Sequence, residues 1–173
     1  MRRFTSFVII GALLGICVSA NAVFAASGDL DPTFTSSVFG VPNGNVNVIK
    51  QQPDGKFLIG GFFTDVNRVA ASGVARFNAD GTIDSTFNAP DFFGGFGLGA
   101  QIFAIAIQAD GKILIGGDFQ GTNSVYNPGI RRLNSDGSLD TSFELVPFSA
   151  GQAVYDIEVL ADGKFLVGGA YQT

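Results

Sequence analysis

Asp54-Gly-Lys-Phe-Leu-Ile-Gly-Gly61 recurs as Asp110-Gly-Lys-Ile-Leu-Ile-Gly-Gly117 and again as Asp162-Gly-Lys-Phe-Leu-Val-Gly-Gly169, at spacings of 56 and 52 residues. A second block alternates with the first. Asp80-Gly-Thr-Ile-Asp-Ser-Thr-Phe87 matches Asp136-Gly-Ser-Leu-Asp-Thr-Ser-Phe143, and Asp29-Leu-Asp-Pro-Thr-Phe34 supplies a third, shortened copy. Self-similarity at a fixed period of this length marks a chain built from stacked supersecondary units.

Working outward from the repeated run, each unit reads as four strands. Strand A is Val46–Gln52, Ile102–Gln108 and Val154–Leu160, apolar on both alternating faces and therefore expected to be buried on both. The following Asp-Gly puts glycine where a short hairpin needs a left-handed residue, so strand A folds straight back onto strand B, FLIGGFF, ILIGGDF or FLVGGAY. Strand C is Gly73–Asn78 and Gly129–Asn134, and a second Asp-Gly turn leads into strand D, TIDSTF or SLDTSF. Nothing after residue 25 has the period of an amphipathic helix. The repeated double glycines, 60–61, 116–117 and 168–169, weaken a strand, so they imply close backbone approach or a bulge. Arg76 and Arg132 are expected to pair with carboxylates such as Asp84 and Asp140.

Four antiparallel strands per unit, repeated, predict an all-β chain, a β-propeller-like array of four-stranded blades. A blade buries its faces only against its neighbours, which accounts for the 18 phenylalanines. The combined pattern, A-x-Q-x-DGK-[IF]-L-[IV]-GG-x-F followed by A-R-[LF]-N-x-DG-[ST]-[IL]-D-x-[TS]-F, resembles the delta-60 repeat family of secreted bacterial proteins. The resemblance spans Gly28–Tyr171. It implies propeller-like blades on an exported bacterial protein, extracellular or periplasmic, and implies no particular reaction.

Residues 1–25 read as a signal peptide. Arg2 and Arg3 precede the apolar run Phe7–Ala20, and Val23-Phe24-Ala25 offers a cleavage site after Ala25. Ile16 before Cys17 is too large for a lipoprotein signal, and Ser19 and Asn21 interrupt the run before the roughly 20 residues of a membrane span. The expected product is secreted or held at the cell surface, with no membrane segment after cleavage. Residues 26–173 then form the repeats, in blocks 27–87, 88–143 and a truncated 144–173. The 148 residues left hold about 2.5 repeats, whereas rings close with roughly four to eight blades. A fragment of a longer repeat protein is expected, or else several copies that together complete a ring.

Composition excludes much chemistry. There is no His, so no Ser-His-Asp or Cys-His relay and no His-held metal or haem; the one Cys, Cys17, falls within the signal. Removing residues 1–25 leaves eight basic against fifteen acidic residues, a net charge of −7, which argues against nucleic acid as a partner. No cofactor is implied.

Three constellations remain. Loops B to C and D to A emerge on one side and vary between copies, and variable loops on a fixed scaffold are where binding concentrates. Phe92, Phe93 and Phe96 in the Gly-rich stretch Asp91–Gln101, with Tyr126 in Gln120–Pro128, are the candidate contacts for a protein or glycan. More often such rings tuck into the gap between blades, and that structural reading is the one favoured. Asp156 and Glu158 are two apart on strand A, hence on one face, and paired carboxylates serve glycoside chemistry. Copies with Val48 and Lys50, or Ala104 and Ala106, at those places favour solvated charges instead. Asn78, Asp80 and Asp84, repeated as Asn134, Asp136 and Asp140, offer oxygens that calcium uses, though without the EF-hand's final Glu and flanking helices; turn formation explains them adequately, and no metal is expected. The functional expectation is a secreted, non-catalytic binding or scaffold module, with a carboxylate-based carbohydrate-active enzyme as the alternative.

Overall fold

A computed structural model of the chain describes residues 42–92, 100–118, 129–143 and 153–170, all within the compact unit Thr35–Thr173. The signal-peptide segment, the Asp29–Phe34 copy of the second block, Phe93, Phe96 and Tyr126 lie outside the described residues. Every regular element among those described is a strand, and none contains a helix long and apolar enough to cross a membrane.

Among the described residues three sheets follow one another along the chain, and a fourth, two-stranded sheet lies within a loop of the first. The first has the order β1 (Asn45–Gln51), β2 (Phe57–Phe62), β5 (Val74–Phe77), and the second repeats it as β6 (Gln101–Ile107), β7 (Ile113–Asp118), β8 (Gly129–Leu133). The third pairs β9 (Ala153–Val159) with β10 (Phe165–Ala170). All these pairings are antiparallel. The A-to-B turns form as the sequence dictates: Gly55, Gly111 and Gly163 take φ of 86°, 82° and 84°, a region open to glycine without steric cost.

The double glycines serve two separate ends. Strand A carries one extra residue in each sheet, Asn47, Phe103 or Tyr155, so that Val46 faces Gly61 while Val48 faces Gly60, and likewise in the other two. The second glycine sits against this bulge: a Cβ on Gly61, Gly117 or Gly169 would strike the backbone carbonyl of Asn45, Gln101 or Ala153. The first glycine opens a socket for the next sheet. A Cβ on Gly60 would lie 2.8 Å from Ile102 Cγ2 and 3.0 Å from Ile105 Cδ1, and one on Gly116 only 2.5 Å from Val154 Cγ1.

Two cores lie between successive sheets. Leu58 and Val74 of the first meet Ile102, Ile105, Ile113, Ile115 and Leu133 of the second, and Ala104, Ala106, Leu114 and Ile130 of the second meet Val154 and Ile157 of the third. A third cluster, Ile59, Phe63, Val66, Ala75 and Phe77, covers the other side of the first sheet. It exists because the B-to-C loop Thr64–Ser72 contains its own hairpin, β3 (Asp65–Val66) with β4 (Val69–Ala70), which drives Val66 into that face.

Two expectations are corrected. Strand D does not form: Ile83 and Leu139 each make a single bridge, to Phe77 and Leu133. The chain then turns because Asp84 and Asp140 accept the amide N–H groups of Thr86 and Ser142 at 3.0 Å, a local bond that competes with ladder pairing. Burial of strand A on both faces holds for β6 alone, which lies between two sheets; β1 is exposed nearly throughout and β9 buries only Val154 and Ile157.

Candidate functional site

The repeated polar residues assemble into one cluster per unit. In the first, Asp84 Oδ2 accepts from Lys56 Nζ and from Arg76 Nε, both at 2.7 Å, and Asp84 Oδ1 accepts from Thr86 Oγ1 at 2.6 Å. Arg76 stacks over the Phe87 ring, 4.7 Å from its centroid. The second unit reproduces this with Asp140, Lys112, Arg132 and Ser142, and Arg132 lies over Phe143 at 4.7 Å. The Arg–Asp pairing expected from sequence is therefore present in both. The lysine of Asp-Gly-Lys, read there only as part of a turn, is the second cation; its signal was the constant 28-residue separation of Lys56 from Asp84 and of Lys112 from Asp140. In the third unit Lys164 has no such partner among the described residues and pairs instead with exposed Asp162, at 2.9 Å.

Burial opposes ionisation of Asp84, but the hydrogen bonds from Lys56, Thr86 and Arg76 together outweigh it and hold the carboxyl far below the usual carboxylate range. Asp140 is held equally low, first by Lys112 and then by Ser142. Both groups bind fewer protons folded than unfolded, so their contribution is complete above an unfolded pKa of about 4 and declines as acid approaches the folded-state value. Thermal melts between neutrality and strong acid should show Tm falling as pH drops below about 4, with a shallower fall in Asp84→Asn; equal slopes would contradict the assignment.

Arg76 also ties the units together, donating from Nη1 to the Ser135 carbonyl at 2.6 Å, next to the Asn88 N–H bond to the Asp136 carbonyl at 2.8 Å. Arg131 is a cation that sequence reasoning passed over. It is buried where the first unit has Ala75, donates to the Ile130 carbonyl at 3.0 Å, and burial lowers its pKa.

The candidate residues fall in different places. Among the oxygens considered for calcium, Asp80 accepts from Thr82 N and Oγ1, and Asn78 donates to Thr82 Oγ1 at 3.0 Å. Asp136, Ser138 and Asn134 repeat the arrangement. These bonds lower the Asp80 and Asp136 pKa values, led by the Thr82 and Ser138 hydroxyls. With Asp84 and Asp140 engaged by cations, no group of three or more acidic, Cys or His side chains is placed to share a metal among the described residues. Asp156 and Glu158 are exposed and lie on one face of β9, opposite Gly168 and Leu166 of β10. Phe92 is not a surface contact. At 1% exposure it packs with Leu58, Val74 and Ile102 between the first two sheets, because a ring that large is worth more out of water, and Ser72 Oγ fastens its carbonyl at 2.6 Å.

What the loop side does present is the β3–β4 hairpin. Asn67 and Arg68 form its two-residue tip at φ of 52° and 67°, and Asp65 Oδ1 accepts the Arg68 N–H at 3.1 Å. Two positive-φ residues in succession match the right-handed twist of a tight hairpin, and neither is glycine. Asn43 clamps the base, its Oδ1 accepting from Thr64 N at 2.9 Å and from Asp65 N at 3.2 Å. The tip residues Asn67 to Ala70 are exposed while Val66 is wholly buried, so a rigid root carries a solvent-facing end. A cleft of about 240 Å³ lies alongside, between Val69–Ala71 and the Asp84 turn. Its charged lining, Arg76 and Asp84, is already mutually paired.

A family model described as a domain of unknown function (DUF5122) beta-propeller matches residues 52–87 and 108–143. No curated protein and no solved structure matches the chain. Each matched segment runs from the glutamine before an Asp-Gly-Lys turn, Gln52 or Gln108, to the phenylalanine beneath the arginine, and so encloses one whole Lys–Arg–Asp–Phe cluster. Over two consecutive repeats the chain is therefore similar to a β-propeller repeat family.

Proposed function

We propose that this chain is an exported, non-catalytic binding module of the delta-60 repeat kind, whose blades hold a recognition hairpin against a protein or cell-surface glycan. The observation that carries the reading is the β3–β4 tip. Its left-handed Asn67 and Arg68 and exposed Val69 are fixed in advance by Asn43 and Val66, so little ordering is left to do on binding. Holding Arg68, which is not glycine, at positive φ carries a local cost, and such a cost at an exposed tip supports a functional reading. The repeated charges supply no competing site, since each Asp of the clusters is saturated by its own cations and hydroxyl.

The double substitution R68A/V69S tests this. Both side chains are outside the core, so the melting temperature should stay within about 2 °C while retention on an immobilised panel of polysaccharides and surface-protein extracts falls at least about tenfold. Undiminished retention would remove the hairpin from the reading. Release of reducing ends from that panel, abolished by Asp156→Ala or Glu158→Ala, would replace it by the carbohydrate-active alternative.

A further inference from the structure

The outer edge of β5 is an unfinished ladder. Gly61 N–H donates to the Gly73 carbonyl at 2.9 Å, and the alternation of an antiparallel pair then turns the backbone groups of Ala75 and Phe77 inward to β2 and those of Val74 and Arg76 outward. On the outer side the Arg76 carbonyl accepts from Asp84 N–H at 2.8 Å, but the Asp84 carbonyl, which would take the Arg76 N–H in a continued ladder, accepts from Phe87 N–H at 3.1 Å instead. Among the described residues no backbone partner then remains for the Arg76 N–H or for the N–H and C=O of Val74, although the two residues are only 7% and 1% exposed. Buried backbone groups are seldom left so. The second unit closes the same edge with a side chain: Arg131, standing where the first unit has Ala75, donates to the Ile130 carbonyl at 3.0 Å, and Ile130 is the register equivalent of Val74. In the first unit the cleft of about 240 Å³ runs along the open edge, with Val74, Ala75 and Arg76 on one side and the Asp84 turn and Ala89 on the other.

We propose that this cleft receives an extended segment of a partner protein, which adds to β5 as the strand that the chain after Ile83 does not form. The inference rests on the reading of the chain as a binding module, though not on the hairpin tip, and it selects a protein over a glycan. What is unpaired sets the chemistry of the occupant: an N–H and a C=O on one residue and an N–H two residues on, about 7 Å apart at the rise of a strand. Another extended backbone presents acceptor, donor and acceptor at that repeat, whereas the hydroxyls of a sugar do not. In an antiparallel arrangement the residue opposite Val74 exchanges two hydrogen bonds with it, and the carbonyl two residues earlier accepts from the Arg76 N–H. Side chains of the segment must be small, because Ala70, Ala71 and Ala89 line the slot, whose volume is that of roughly eight waters and holds about two or three such residues. Strand addition of this kind takes affinity from the main chain and selectivity from the alternate side chains.

Amide hydrogen exchange of the full chain, read residue by residue by NMR, tests the assignment with acetyl-Ser-Ala-Gly-Ala-Ser-amide at millimolar concentration as the probe. Exchange at Val74 and Arg76 should slow at least about tenfold, while Ala75 and Phe77, already bonded to β2, stay unchanged. The same peptide N-methylated at every residue keeps its side chains but loses its donors, and should protect neither amide. Ala70→Trp obstructs the cleft from an exposed position and should weaken the peptide at least about tenfold, whereas Ala79→Trp, exposed and outside the cleft, should not. Absence of protection, equal protection by the N-methylated peptide, or binding indifferent to Ala70→Trp overturns the strand addition. Should that happen while retention on the panel still falls in R68A/V69S, this inference fails alone and the binding-module reading stands.

Discussion

Gly116→Val is expected to lower stability by about 3 kcal/mol or more, while the same substitution at the corresponding Gly168 changes it by no more than about 0.5 kcal/mol. The two positions share the register, the neighbouring bulge and the flanking sequence Gly-Gly. They differ in what stands above them. At Gly116 a Cβ would lie 2.5 Å from Val154 Cγ1, 3.0 Å from Ile157 Cδ1 and 3.1 Å from Val154 Cβ, and these atoms belong to buried side chains of the next sheet with nowhere to go. At Gly168 the nearest atom is 3.7 Å away, an ordinary contact. A strand also prefers valine to glycine for its narrower unfolded ensemble, which offsets part of any loss at Gly168. Urea midpoints of the two variants decide the matter. Equal losses at the two sites would mean that glycine is required by the strand itself, and that the socket account is wrong.

Asp84→Ala should cost about 3 kcal/mol and lower the melting temperature by on the order of 10 °C. The carboxylate is 5% exposed and is the common acceptor for Lys56, Arg76 and the Thr86 hydroxyl and amide. Its removal strands a guanidinium that is itself buried against Phe87, whereas Lys56, about a third exposed, turns to water. The loss is thus chiefly that of an uncompensated buried charge. R76M/D84L removes both charges and keeps the apolar volume over Phe87, so it should be less harmful than Asp84→Ala alone. A double variant at least as unstable as the single one would show that the pair adds net stability beyond mutual neutralisation.

Much of this architecture was legible because a repeat states its own alignment. The Asp-Gly-Lys and Gly-Gly runs marked the turn and the strand after it, and their recurrence separated architectural residues from individual ones. The two alternatives offered for the double glycines turned out to be a division of labour, since the first of each pair admits the neighbouring sheet and the second accommodates the bulge. Strand D is the exception. TIDSTF and SLDTSF alternate like strands, but the aspartate between the apolar positions captures the backbone amide two residues on and turns the chain after one bridge. For Phe92 the sequence leaves two readings open, a surface contact or packing between blades, and its burial between the first two sheets selects the second.

By itself the sequence determined the β character of the repeats, where their tight turns fall, that the repeated arginines answer repeated carboxylates, and that no histidine is present for chemistry. Each of these depends on local periodicity, on the backbone freedom of glycine, or on composition, which a chain carries wherever it folds. Only the tertiary structure decided which repeated positions are equivalent in environment as well as in sequence. Ile49, Ile105 and Ile157 occupy one register, yet the latter two are buried and Ile49 is in water, because burial depends on having a neighbouring sheet. The convergence of Lys56 with Arg76 on Asp84 and the rooting of an exposed Arg68 over a buried Val66 were likewise set by packing between segments distant along the chain.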